Sequence, residues 1–388
     1  MAIGKGKKAA FSLLLLVIIA LVAEAGFRIA YRITGQDPDS MRLYHHDPGM
    51  KVEGRYISNP FLPFALRPNS DYEIVWKPPQ WPELKGHMET RTWHIHQNKW
   101  GFRGPDVSLE KPPGTLRVLC LGGSTTYDTN SDGETWEDDL QSRLADAYPG
   151  QKIEVLNFGM NAASMPFHVT QFALTGVHFR PDLVIVYAGH NDLWSGLGLK
   201  GFRPDYSHRI GHWDDSRRSI QHYLPAWAMR SVAVTGIAYM IDHLRGIEYD
   251  LVKQIWKNAP DAEDPLEGFW AFRNDMITID GIARAHGART LFVTPYWAFT
   301  RTERKRQLVA SIKHAADEAG LMLLDAGNLL PEGDISLVVD NVHFSPKGSE
   351  VFANLIADFI ISNRLLPAAG TAGMQDTHNE TETAGRID

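Results

Sequence analysis

LRVLCLGGSTTYD (116–128) is the stretch on which the fold turns. Its first seven residues read as a buried strand ending in Gly122, and a second glycine and a serine follow. Gly122 and Gly123 let the chain turn tightly where a sheet strand stops. Further apolar runs of strand length are IEVLNF (153–158), LVIVYA (183–188), TLFVTP (290–295) and LMLLD (321–325). Stretches of helical pattern lie between them, at about 134–147, 164–178, 266–287 and 302–319, with a last one at about 347–363. Continuously apolar strands alternating with helices predict βαβ units, and hence a parallel sheet with helices on both faces. The rhythm breaks once, in an insertion at about 193–264. That insertion contains SVAVTGIAYMI (231–241), which is too short to span a membrane and reads as a lid or a side-packing helix.

The chemistry-bearing residues fall where the strands end. Ser124 is expected at the carboxyl end of the first strand, where open α/β sheets build their sites. By itself a Gly-Gly-Ser turn is usually only a turn. Far along the chain, VVDNVHFSPKG (338–348) carries Asp340 and His343 three residues apart. A carboxylate so placed can hold the imidazole Nδ1 and leave Nε2 to take a serine proton. Alone, such a pair is more often structural. Together, in the order Ser, Asp, His, the three make a nucleophile, its orienter and its base. An oxyanion hole is available from AGHND (188–192), whose Asn191 amide is a neutral donor, and from the backbone of NFGMNA (157–162). Taken alone, Asn191-Asp192 would read as an ordinary turn or cap.

LGGSTTYD, NFGMNA, GHND and DNVHFSPKG, in that order, resemble the four blocks of the SGNH hydrolases, or GDSL-type esterases. The resemblance covers about Arg117 to Arg364 apart from the insertion. It implies a flavodoxin-like three-layer α/β/α domain with Ser124 as nucleophile, His343 as base and Asp340 as orienter. It also implies an oxyanion hole made by the Ser124 N–H, a second-block N–H and the Asn191 side chain. The first block here is GlyGlySer and not GlyAspSer. The usual second-block glycine falls on Ala162, which tolerates fewer backbone conformations; Gly159 is the alternative donor. His190 is read as a neighbour that shapes the pocket. The α/β-hydrolase elbow G-x-S-x-G does not fit, because Thr126 stands two residues after the serine.

The N-terminus reads MAIGKGKKAAFSLLLLVIIALVAEAGFR. A positive cluster (Lys5, Lys7, Lys8) precedes an uncharged stretch from Ala9 to Ala23. This is an export segment, with residues 1–30 expected as an uncleaved signal anchor and the rest of the chain extracytoplasmic. Its rival is cleavage at Ala23-Glu24-Ala25; a buried helix of a cytosolic protein is the third reading. Residues 31–115 are rich in Pro, Trp and His and predict an irregular β-containing extension, with strands at 72–76 and 92–96. The hydrolase domain is expected over 116–365, and 366–388 as a disordered tail.

The 388 residues are 44% hydrophobic and 22% charged, which excludes a disordered chain and a polytopic membrane protein. A net charge of -7 argues against a nucleic-acid partner. A single cysteine, Cys120, excludes an intrachain disulfide and a Cys-rich zinc site. His45-His46 and the His94/His96 pair lack an obvious third ligand, so neither metal nor cofactor is expected. The tryptophans could stack on sugar rings, although packing explains most of them. The expected substrate is an ester-bearing small molecule, lipid or glycan, hydrolysed through an acyl-enzyme. The alternatives are an O-acyltransferase acting on envelope or exopolysaccharide sugars, and a non-catalytic assembly or binding subunit.

Overall fold

All eight residues of Thr115–Gly122 are buried, as a strand covered on both faces requires. In the computed structural model this strand lies inside a five-stranded parallel sheet. The structure describes residues 5–34, 56–57, 59, 61–62, 65–76, 91–128, 135–200, 202–204, 206, 220–225, 227–246, 269–299 and 302–367. The expected tail beyond 367, His45-His46 and much of the insertion lie outside the described residues.

The strands are β1 (Tyr56–Ile57), β2 (Ala65–Leu66), β3 (Ser70–Trp76), β4 (Arg91–Gln97), β5 (Thr115–Gly122), β6 (Lys152–Gly159), β7 (Leu183–Tyr187), β8 (Arg289–Val293) and β9 (Leu323–Leu324). The helices are α1 (Lys5–Thr34), α2 (Ser124–Tyr127), α3 (Trp136–Ala147), α4 (Met165–Leu174), α5 (His190–Trp194), α6 (Val232–Leu244), α7 (Trp270–Ala285), α8 (Glu303–Ala319), α9 (Ala326–Leu329) and α10 (Pro346–Ser362). The chain forms two compact units. One comprises 1–59, 63–67 and 206–259, and the other 60–62, 68–205 and 260–388.

The second unit holds the sheet, in the order β6-β5-β7-β8-β9. Val118 faces Val155 of β6 and Leu183 of β7, and Val293 faces Leu324 of β9. This is the doubly wound flavodoxin-like order, whose topological switch point lies between β5 and β7. Successive side chains of β5 point to opposite faces. Leu116, Val118 and Cys120 pack with Trp136, Leu140, Phe352 and Ile356 of α3 and α10. Leu119 and Leu121 pack with Phe172, Met276, Leu308 and Ile312 of α4, α7 and α8. These two cores lie between the sheet and the two helical layers of the α/β/α sandwich. The expected helix at 164–178 ends at Leu174 and continues as a 3-10 turn over Gly176–Phe179.

The strands expected at 72–76 and 92–96 form the antiparallel hairpin β3–β4, with Tyr72 opposite Ile95. His94 and His96 lie on one of its faces beside Glu73 and Asp71. Bridges from Gln97 to Arg103 and from Arg103 to Asn157 join the hairpin to the β6 edge of the sheet.

In the first unit, Phe11–Thr34 of α1 is the one segment among the described residues long and apolar enough to cross a membrane. Glu24 of α1 accepts hydrogen bonds from Ser231 Oγ (2.6 Å), Val232 N (3.2 Å) and Ala233 N (2.9 Å) at the start of α6. A carboxylate suits the positive end of a helix and satisfies its unpaired N–H groups. One turn on, the Phe27 ring lies so close to Gly236 that a Cβ there would strike it.

Candidate active site

From Leu121 to Asp128 every residue is buried except Ser124. Ser124 opens α2, a helix of four residues, which is far too short to be stable by itself. Four carbonyls at the end of a helix have no intrahelical partner, and here side chains supply them. Trp136 Nε1 donates to Thr125 O (3.1 Å) and Asn157 Nδ2 to Thr126 O (2.6 Å). The Arg103 guanidinium donates to Tyr127 O (3.1 Å) and to Asp128 O. The hairpin braces the same turn: Gln97 Nε2 donates to Tyr127 Oη (2.7 Å), which also meets Tyr72 Oη. Arg103, Gln97, Tyr72 and Trp136 thus position Ser124, and none was singled out from the sequence for this. Their signal is faint: Tyr72 and Trp136 read as packing aromatics, Gln97 ends a strand, and Arg103 lies on a connecting loop.

Asp340 and His343 sit on the loop before α10. The loop is closed by Val339 N donating to His343 O (2.9 Å) and Ser345 N donating to Leu337 O (2.9 Å). Asp340 Oδ1 accepts from the Val342 and His343 N–H groups, each at 2.8 Å. Its Oδ2 lies 2.6 Å from His343 Nδ1, and His343 Nε2 lies 2.8 Å from Ser124 Oγ. Burial raises the Asp340 carboxyl, but the His343 charge and these hydrogen bonds outweigh it and hold it below its usual value. Burial pulls His343 down, and the Asp340 charge and hydrogen bond overcome it, so His343 is held above the usual imidazole value.

His190 behaves oppositely. Burial first, then the His343 and Lys305 charges, push it down to about 4 against an opposing hydrogen bond to Tyr296. Its Nε2 lies 2.9 Å from Tyr296 O, and its ring meets Tyr187 and Trp297 edge-on. The two histidines therefore separate in a pH profile. With His343 as base, kcat/KM rises with pH through one deprotonation whose midpoint lies above the ordinary imidazole value of about 6.5. A midpoint near 4 would assign the base to His190.

The Asn191 amide and the Ala163 carbonyl border Gly123, the residue before the serine. Asn191, on α5 after β7, donates from Nδ2 to Ala163 O (2.8 Å), which leaves its second N–H. A Cβ on Gly123 would collide with that Nδ2. The position that departs from the GDSL pattern is thus one where a side chain would strike Asn191. Next to Asn191, Asp192 Oδ1 accepts from Met165 N (2.9 Å), which ties the loop after β6 to the loop after β7. On the former loop Ala162 has φ +58°, a left-handed conformation that costs a non-glycine residue about 1–2 kcal/mol. No partner for the Ala162 N–H is found among the described residues. The Gly159 N–H, in contrast, donates to Asn157 Oδ1 (2.9 Å), and a Cβ on Gly159 would run into the Tyr127 backbone. Gly159 is thus needed for close packing under α2. Asn191→Ala is expected to lower kcat by roughly 10²–10³ with little change in KM, the cost of one lost oxyanion donor. A change confined to KM would make Asn191 a substrate-binding group.

The chain resembles several solved structures in fold. TesA is 14% identical, with 65% of this chain and 100% of that chain covered and a TM-score of 0.40. A lipase/acylhydrolase from Enterococcus faecalis is 15% identical, with 64% and 96% covered and a TM-score of 0.40. A catalytic mutant of an acetylxylan esterase from Geobacillus stearothermophilus is 14% identical, with 63% and 94% covered and a TM-score of 0.39. A sequence search of curated proteins gave no match. The model of the GDSL-like Lipase/Acylhydrolase family matches residues 120–351, more than half of the chain and the whole run of blocks from Ser124 to His343. With the doubly wound sheet and the serine hydrolase blocks in place, the chain belongs to the GDSL-like lipase/acylhydrolase family.

Proposed function

We propose that the protein is a membrane-anchored, extracytoplasmic serine esterase that cleaves an acyl or acetyl ester through an acyl-enzyme. The observation that carries this is the unbroken path from Asp340 Oδ2 through His343 to Ser124 Oγ, with steps of 2.6 and 2.8 Å. His343 Nε2 takes the Ser124 proton as Oγ attacks the ester carbonyl. Asp340 keeps the remaining imidazole proton on Nδ1 and stabilises the imidazolium that forms. The Ser124 N–H, the Ala162 N–H and the second Asn191 N–H receive the developing oxyanion. His343 then gives its proton to the leaving alcohol, and water repeats the sequence on the acyl-enzyme.

The anchor reading is supported by Glu24. Cleavage at Ala23-Glu24-Ala25 would remove the acceptor of three hydrogen bonds from α6. A segment to be discarded has no need of such bonds. The Lys5, Lys7 and Lys8 cluster puts the N-terminus in the cytoplasm and the remainder outside. The test is fractionation followed by assay. The full-length protein should stay with the membrane through salt and alkali, leave it in detergent, and hydrolyse simple acyl esters in buffer. A mature chain beginning near Gly26 would overturn the anchor. Turnover that needs an added glycan acceptor would replace hydrolysis by transfer.

A further inference from the structure

Helix α6 presents two different faces. Val232, Ala233, Thr235, Gly236, Ala238 and Asp242 are buried. Ile237, Met240, Ile241 and Leu244 are 43, 48, 40 and 85% exposed. These four fall at i, i+3, i+4 and i+7, one stripe of a helix. Just before the helix, Trp227 is 74% exposed. Such a stripe is unusual on a surface meant for water, and its place in the fold says what covers it.

The helix packs on α1. Glu24 meets residues 231–233 and Phe27 meets Gly236, so the two helices run in the same direction. A hydrocarbon core about 30 Å thick needs about 20 residues of helix at 1.5 Å each. Counted from Phe11, the span must therefore continue past Glu24 and Phe27. The exposed apolar residues of α1 do continue, through Val22 to Ile29 and Ile33. Whatever packs beside Glu24 and Phe27 lies at the outer part of the bilayer. Glu24 is tolerable at that depth because Arg28 Nε (2.7 Å) and the start of α6 satisfy it.

We infer that α6 docks in the outer leaflet beside the anchor, with Ile237, Met240 and Ile241 against the lipid at the boundary between headgroups and acyl chains. This rests on the anchor reading and extends it: the insertion supplies a second membrane contact. The bilayer, and not a second copy of the chain, is the occupant because the stripe stands on a helix packed directly beside the membrane-spanning segment.

The test uses the full-length protein in liposomes, with an environment-sensitive fluorophore on Ile237→Cys, Met240→Cys or Leu15→Cys; native Cys120 is buried. Retained esterase turnover certifies that each variant is folded. Lipids brominated near the headgroup should remove most of the emission from Ile237→Cys and Met240→Cys, and aqueous iodide should remove little. Deep-brominated lipids should quench Leu15→Cys. If Leu15→Cys is quenched while both α6 sites respond to iodide, the inference falls and the anchor stands. If the α6 sites are shielded from both quenchers, protein covers the stripe and the inference falls equally. If Leu15→Cys is not quenched, the anchor reading itself fails.

Discussion

Ser124→Ala should lower ester turnover by on the order of 10⁴-fold or more while the protein stays folded, because a nucleophile and its base act as one unit. The structure makes this a clean substitution. Ser124 Oγ meets His343 Nε2 and contributes nothing to the bracing of α2, which rests on the carbonyls of residues 125–128. The oxyanion donors at 124 and 162 are backbone groups and survive it. A fluorophosphonate probe should label the native protein and fail to label the variant, with thermal unfolding within a few degrees of native. Labelling that persists in Ser124→Ala would place the nucleophile elsewhere.

Asp340→Asn should lower kcat by about 10³–10⁴-fold, the effect of a wrong histidine tautomer. Asp340 has two tasks that the amide cannot perform together. Its Oδ1 accepts from two backbone N–H groups, and its Oδ2 faces His343 Nδ1. In the variant the amide oxygen keeps the backbone bonds, because two N–H donors demand an acceptor. The NH₂ group then faces Nδ1 and can only donate to it. The imidazole proton moves to Nε2, and the base that should receive the Ser124 proton is already occupied. The loop keeps its shape, so stability should change little and the loss should lie in kcat. A variant that keeps near-native kcat would show that Asp340 only closes the loop.

Much of this architecture was legible in the sequence because it is written in local pattern. An apolar run without alternation, such as LVIVY at 183–187, must be covered on both sides. The runs at 116–122, 153–158, 183–188 and 290–295 each became a strand within a residue or two. LMLLD shrank to Leu323–Leu324, since only those residues reach β8 at the sheet margin. Ser124, Asp340, His343 and Asn191 are nameable from residue type, from position at a strand end or just before the last helix, and from the order of the four blocks together. His190 could not be separated from His343 by type. The separation comes from the surroundings: Asp340 is hydrogen-bonded to the His343 ring, whereas His190 meets the Tyr296 carbonyl and is pushed down by burial and the His343 charge.

Sequence alone therefore determined the strand sequence, the layers, the family and the identity of the candidate nucleophile, base and orienter, which depend on periodicity, residue type or short spacing. Tertiary structure decided what joins distant segments. It brought Ser124 and His343, 219 residues apart, to 2.8 Å. It recruited Arg103, Gln97, Asn157 and Trp136 to hold a four-residue helix that has no stability of its own. It set Ala162 in a left-handed conformation that its residue type disfavours, and it joined Glu24 to a helix more than two hundred residues away. The physical reason is the same in each case. A hydrogen bond or a strained dihedral depends on the particular atoms that packing brings together, whereas burial of an apolar face depends only on the spacing of residues along the chain.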